Sequence, residues 1–353
     1  MPNPHANRHP RRLRAALLAL AALLVATLGP TACGSSSEGD DPNEPETEGI
    51  TVYSGRIAPL IGPAIDMYEA NVDRDVQARF GDSAPLAATL VEEGENSPAD
   101  VFFAQDAGSL DAVAEAGLLE PLPDRILAMV PPKYRSPDGE WVGVTARSRI
   151  IAYGPEVSEE ELPDSPLELT EPEWRGRVGW APTNASLISY ITALRAVEGD
   201  DVARDWIEGM VANDVQAYES NVPVRDAIAS GEIDVGLINH YYVAEAIAEE
   251  GPDYPVKAHF PPEDLGSLVN VAGAGVLASS DRKEEAFDFI EFMLEPEAQR
   301  YFAESSKEYP LGKGAKPDPS LTPLEEIPAP DVDLGSLTDI EGTIEMLQES
   351  GAL

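Results

Sequence analysis

Two adjacent phenols are the residues with the clearest chemical potential. Tyr241 and Tyr242 follow the apolar pair Leu237-Ile238 and precede Val243-Ala244-Glu245-Ala246-Ile247-Ala248, a stretch of helical character. The pair therefore sits at the C-terminal edge of a strand and in the first turn of a helix. Ligands of open α/β sheets bind at that edge. A helix N-terminus favours anions, phenolates included. A free phenol titrates near ~10, so it is a poor ligand for weak cations at neutral pH. A strong Lewis acid can expel the proton. Two tyrosinates would thus suit a small, hard, highly charged cation that prefers anionic oxygen. On the residues alone, packing or a place on a rim is the commoner role of such a pair. Consecutive helical residues diverge by about 100°, so both oxygens converge only if the turn is irregular.

Signatures of catalysis are scarce. Beyond the N-terminal segment the histidines are His240 and His259. There is no His-Glu-x-x-His, no Gly-x-Ser-x-Gly and no Gly-x-x-x-x-Gly-Lys. Gly273-Ala274-Gly275-Val276-Leu277-Ala278 matches a loose Gly-x-Gly-x-x-Ala pattern. A β-like Val-Leu-Ala follows the glycines where a dinucleotide site needs a helix. The chain is read as a binding protein, not an enzyme.

The elements that must position the phenols alternate. Strands are expected at Ile50–Tyr53, 76–80, 100–103, 150–153, 178–180 and 235–238. Helices are expected at 60–70, 85–93, 109–116 closed by Gly117, 201–211, 224–229, 284–294, and, after the break at Pro296, 297–303. A Pro-rich tail from Ala315 to Ala329 should wrap the surface before a last helix near 340–348. This alternation predicts an α/β fold with mainly parallel sheets.

Composition narrows the setting. The chain has 353 residues, 43% of them hydrophobic, enough for two domains with real cores. Against 24 Lys and Arg stand 64 Asp and Glu, a formal charge of -40 that repels nucleic acid and anionic lipid. The carboxylates are scattered, as on a salt-adapted surface. The N-terminus is different. Arg8, Arg11, Arg12 and Arg14 precede an apolar run from Ala15 to Leu28 that is shorter than the ~20 residues a membrane span needs. Residues 1–32 read as a signal peptide. Cys33, the sole cysteine, stands in Thr31-Ala32-Cys33-Gly34 where a bacterial lipobox would carry the lipidated residue, although Pro30 departs from that pattern. Residues 33–49 read as a lipidated, acidic, flexible tether. The expected location is the outer face of the cytoplasmic membrane.

The folded part resembles the bacterial periplasmic ferric-iron-binding proteins. The resemblance rests on Ile50-Thr51-Val52-Tyr53-Ser54-Gly55-Arg56, Ala99-Asp100-Val101-Phe102-Phe103, Arg147-Ser148-Arg149, Trp174-Arg175-Gly176, Gly231-Glu232, Leu237 to Tyr242, Gly273 to Val276 and Glu308-Tyr309-Pro310-Leu311, in that order. It implies a two-lobed type II Venus-flytrap fold with hinge crossovers, lobe 1 from 50–147 plus 272–321 and lobe 2 from 148–271 plus 322–353. It implies Fe3+ as cargo, delivered by a monomer to the permease of an ABC importer. Tyr241 and Tyr242 match the paired iron ligands. Arg147 matches an arginine that holds a companion anion, carbonate or phosphate, and Arg56 lies where some relatives place another. Asn184, Ala185, Ser186 and Asn221 fall in the segments that hydrogen-bond that anion. Ile57 and Gln105 stand where several relatives carry His and Glu ligands. Asp106 is the neighbouring candidate ligand, with helix capping as its alternative, and Tyr53 is a candidate third phenolate or a buried strand residue. His240 is expected beside the metal sphere or on the surface, not among the ligands. An organic or oxyanion cargo on the same fold, a phosphonate or a polyamine, is the competing expectation; a surface enzyme or adhesin is another.

Overall fold

A computed structural model describes residues 49–262 and 264–353. The expected signal peptide, Cys33 and nearly all of the expected tether lie outside them.

In chain order the elements are β1 (Ile50–Ser54), α1 (Ala58–Val72), β2 (Val76–Phe80), α2 (Ser83–Glu93), β3 (Val101–Ala104), α3 (Ala107–Glu115), β4 (Leu119–Glu120), α4 (Asp124–Leu127) and β5 (Trp141–Tyr153). They continue as β6 (Val178–Trp180), α5 (Ala185–Glu198), α6 (Asp200–Ala212), β7 (Gln216–Ala217), α7 (Asn221–Ser230), β8 (Val235–Asn239), α8 (His240–Glu250) and β9 (Lys257–His259). The chain ends with β10 (Val269–Leu277), α9 (Lys283–Leu294), α10 (Pro296–Ser305), β11 (Tyr309–Pro310) and α11 (Ile340–Glu349).

The strands run in the order β2-β1-β3-β10-β5-β8-β6-β7. The outer pairs are parallel, β1 with β2 and β3, and β6 with β7 and β8. The centre is not. Strand β10 pairs antiparallel with β3 and β5, and β5 pairs antiparallel with β8. The expectation of mainly parallel sheets therefore holds only for the outer strands of each half: two long antiparallel strands knit the halves together, and antiparallel pairing dominates the sheet. Strand β5 belongs to both. Residues up to Ser148 pair with β10, and from Arg149 onward the strand pairs with β8. All thirteen of its residues are buried. Each large apolar side chain removed from water contributes about 1.5–3 kcal/mol, so Trp141, Val142, Val144, Ile150 and Ile151 anchor the strand from both ends.

The Gly-x-Gly run has a packing explanation. It lies in β10, where a bulge falls between Ala272 and Gly273. A Cβ on Gly273 would come 2.5 Å from the Val142 carbonyl oxygen. The glycines allow β10 to press against β5. The tail passes α3, where a Cβ on Gly108 would meet the Leu337 carbonyl oxygen. Helix α11 then packs on α5, with Thr192 and Thr343 hydroxyls 2.8 Å apart.

Candidate metal-binding site

Strand β8 ends at Asn239, whose extended backbone (φ -91, ψ 150) caps α8. Tyr241 and Tyr242 occupy the first turn. Their rings lie 4.3 Å apart between centroids and tilt by 42°, so the divergence of consecutive helical residues does not separate them. Tyr241 is buried and Tyr242 half-buried. Burial raises the Tyr241 phenol well above its ordinary pKa, and Tyr242 and the Glu308 carboxylate push the same way. A strong Lewis acid would have to drive its ionisation. The Asn239 amide donates to the Tyr241 hydroxyl at 3.4 Å and to the Ser186 hydroxyl at 2.9 Å.

Within electrostatic reach of Tyr241 lies Arg147, on β5 at the point where the strand changes partners. It is 1% exposed, and none of its three guanidinium nitrogens has a hydrogen-bond partner among the described residues. Burial lowers its pKa, while Tyr241, Asp106 and Glu308 support its charge. The two-residue period of the strand puts Arg149 on the same face. One of its terminal nitrogens bonds Asn239 Oδ1 at 3.2 Å and the other has no partner. Burial brings Arg149 down to about 10, still charged at neutral pH. Arg147, Arg149, Ser186, Ser189, Asn239 and Asn270 line one small cavity. The cavity is only about 10 Å³, room for about one water, but two buried cations with unmet donors and a serine hydroxyl supply the kind of donors an oxyanion accepts.

A sequence profile of the bacterial extracellular solute-binding proteins matches residues 96–333. The chain belongs to that family. The Fe(3+)-binding periplasmic protein of Serratia marcescens is 34% identical over 310 residues, covering 87% of this chain and 91% of its own. The crystal structure of iron-bound HitA from Pseudomonas aeruginosa superposes with a TM-score of 0.81 at 35% identity, covering 86% of this chain and 99% of that one. A Trichodesmium protein solved in complex with iron and citrate ligands gives a TM-score of 0.73 at 29% identity, covering 86% and 99%. The two half-sheets joined through β5 are the two lobes of a periplasmic binding protein.

Within this solute-binding protein the remaining candidates separate. Arg56 does not line that cavity, and among its guanidinium nitrogens only Nε lacks a partner among the described residues. It forks onto Glu308 at 2.6 and 3.1 Å and bonds the Thr145 hydroxyl at 3.1 Å. Asp106 caps α3: Oδ1 accepts from the Ser109 N–H at 2.8 Å and Oδ2 from its hydroxyl at 3.1 Å. Burial raises its carboxyl, against Ser109 and Arg147. Asn184 caps α5 by accepting from the Ser186 N–H at 3.0 Å. Asn221, first residue of α7, is 1% exposed with both side-chain polar atoms unpartnered among the described residues. Tyr53 donates to Glu93 and accepts from Arg79. Ile57 is 62% exposed at the start of α1. His240 has both nitrogens engaged: Nδ1 accepts from the Ser148 N–H at 3.2 Å, so Nε2–H donates to the Lys307 carbonyl at 3.1 Å. Burial lowers it to about 4, which keeps it neutral. Among the described residues no three His, Cys, Asp or Glu side chains gather in metal-binding geometry, so any metal here depends on the phenols. Arg149, Asn239 and Glu308 stand in motifs quoted for the resemblance but carry no expected role there; the strand period signals Arg149.

Proposed function

We propose that this protein captures ferric iron through Tyr241 and Tyr242, together with an anion held by Arg147, and passes it to the permease of an ABC importer. One observation carries the reading: two phenols in ring contact are joined through Asn239 to a cavity lined by a buried guanidinium with every donor unmet. Two phenolates and a dianion such as carbonate or hydrogen phosphate would offset four of the five positive charges of Fe3+, Arg147 and Arg149. Arg149 and Ser186, which line the cavity, would complete the anion's contacts; Asn221, which does not line it, would join them through its buried, unpartnered amide, and Asn184 would hold the helix end that presents Ser186. For Asp106 the support is its burial beside Arg147; against it, Ser109 already takes both oxygens. Its membership of the metal sphere is tested by Asp106→Asn, which should cost iron affinity at least about tenfold if the carboxylate binds the metal.

Lobe 1 would comprise 50–147 plus 272–321 and lobe 2 148–271 plus 322–353. The lobes would close about the Arg147–Arg149 crossover by a hinge. Cys33 would carry the lipid that keeps the receptor at the membrane. The relatives named for iron support the cargo, and the iron–citrate complex of one neighbour supports a companion anion.

Ferric salt with bicarbonate should give a visible phenolate-to-iron charge-transfer band. Its absence in the wild type, or its survival in Tyr241→Phe/Tyr242→Phe, would sink the assignment. The paired arginines favour one other reading, an oxyanion as sole cargo. Calorimetry on metal-free protein separates the two, because submicromolar phosphate binding without iron would support the second.

A further inference from the structure

We propose that Glu308 is a built-in counter-anion of this site: it closes Arg56, so that recruitment of an external anion falls to Arg147. This rests on the proposed function for the identity of the site. Arg56 and Glu308 are 252 positions apart and each is 1% exposed. Both terminal nitrogens of Arg56 are spent on the two oxygens of Glu308, the planar fork that carbonate or phosphate would otherwise accept. The Ser306 hydroxyl adds a bond to Glu308 Oε2 at 3.0 Å.

The carboxylate is held from the site itself. The preceding residue, Lys307, lies at φ 50, an unusual backbone for a non-glycine residue, and its carbonyl accepts from His240. The following residue, Tyr309, stacks on the His240 ring at 4.6 Å and 18°. His240 is the neighbour of Tyr241 in the chain. Glu308 is therefore clamped on both sides by the residue that begins the phenol-bearing turn. A fold-stabilising ion pair would need none of this proximity. The Glu308 charge acts on Tyr241 and on Arg147 as well as on Arg56. It makes the site less attractive to a second external anion.

The test is a gain of function, which loss of structure cannot imitate. Phosphate is titrated into metal-free wild type, Glu308→Gln, Glu308→Asp and Arg56→Gln/Glu308→Gln by calorimetry. The same series is then run with ferric salt, following the visible band. Freeing Arg56 should tighten phosphate binding at least about tenfold in Glu308→Gln, equivalent to about 1.4 kcal/mol. The shorter Glu308→Asp should give an intermediate gain, and the double variant should return to within about twofold of the wild type. Unchanged or weaker phosphate binding in Glu308→Gln overturns the inference, as does a double variant that keeps the gain. If Glu308→Gln does not fold, the Glu308→Asp and double variants still decide. No band in wild type with a tenfold gain in phosphate affinity would sink the ferric reading and leave Glu308's role standing.

Discussion

Arg56 and Arg147 are the same residue type at the same 1% exposure, and the molecule treats them in opposite ways. Arg56 has an internal carboxylate, a threonine hydroxyl and a bidentate geometry. Arg147 has no partner at any nitrogen among the described residues. A buried guanidinium without compensation is costly, because desolvation of a charge exceeds what packing returns. The first arrangement is met internally at both terminal nitrogens, with only Nε left over. The second stores an unmet demand that a ligand can meet. Burial alone does not mark a binding residue; the state of its donors does.

That contrast predicts opposite signs. Arg56→Gln leaves Glu308 buried without its cation and should lower stability by about 3–5 kcal/mol, read by urea unfolding of metal-free protein. Arg147→Gln removes an uncompensated charge and should raise stability by about 1–3 kcal/mol. The same variant should lose at least about a hundredfold in anion-dependent iron affinity, roughly 2.7 kcal/mol. If both variants lose stability alike, Arg147 is satisfied in solution and the contrast is void.

How much of this was legible in the chain follows from physics of range. The strand ahead of the phenols was visible as Val235 to Ile238 because strands flanked by helices leave short apolar runs. Helix α5 was not expected. Its residues from Ser186 to Leu194 are all buried, and a helix wrapped on every side shows no amphipathic stripe. The first two-thirds of β5 was missed for a related reason: Arg147, Ser148 and Arg149 are polar, and period-2 logic assumes polar means exposed. At the site, the phenol pair and Arg147 could be placed through resemblance. Nothing in local spacing could show that a residue 252 positions away would close Arg56. Such pairings are decided by topology, here by where β11 returns beside β5.

A second carboxylate extends the comparison to acids. Glu308 has a cation; Asp111 on α3 has only the Trp141 indole N–H, at 2.8 Å, and its other oxygen is buried without a partner. Burial pushes Asp111 from 3.8 to about 6, with Asp333, Glu115 and Glu140 adding repulsion. The folded state then holds the proton more tightly than the unfolded chain. Stability should therefore fall as pH rises from about 4 through 6, and flatten above. The shift corresponds to roughly 2 kcal/mol once partial screening is allowed for. Asp111→Asn keeps an acceptor for Trp141 and removes the titration. The variant should gain on the wild type between pH 4.5 and 7.5 in paired urea melts. A constant difference across that range would show that Asp111 is solvated, unlike Glu308.

The smallest expected effect tests the open half of the site directly. Asn221 has both side-chain atoms buried and unpartnered, so truncating it removes polar groups that gain little from the fold. Asn221→Ala should change stability by no more than about 0.5 kcal/mol in metal-free protein. With ferric salt and bicarbonate it should raise the anion concentration needed for half-maximal band by about tenfold, the value of one lost hydrogen bond to a charged group. The opposite pattern, a stability loss above about 1.5 kcal/mol with unchanged anion dependence, would make Asn221 a structural residue like Arg56. The open half of the site would then shrink to the two arginines of β5 and the Ser186 hydroxyl.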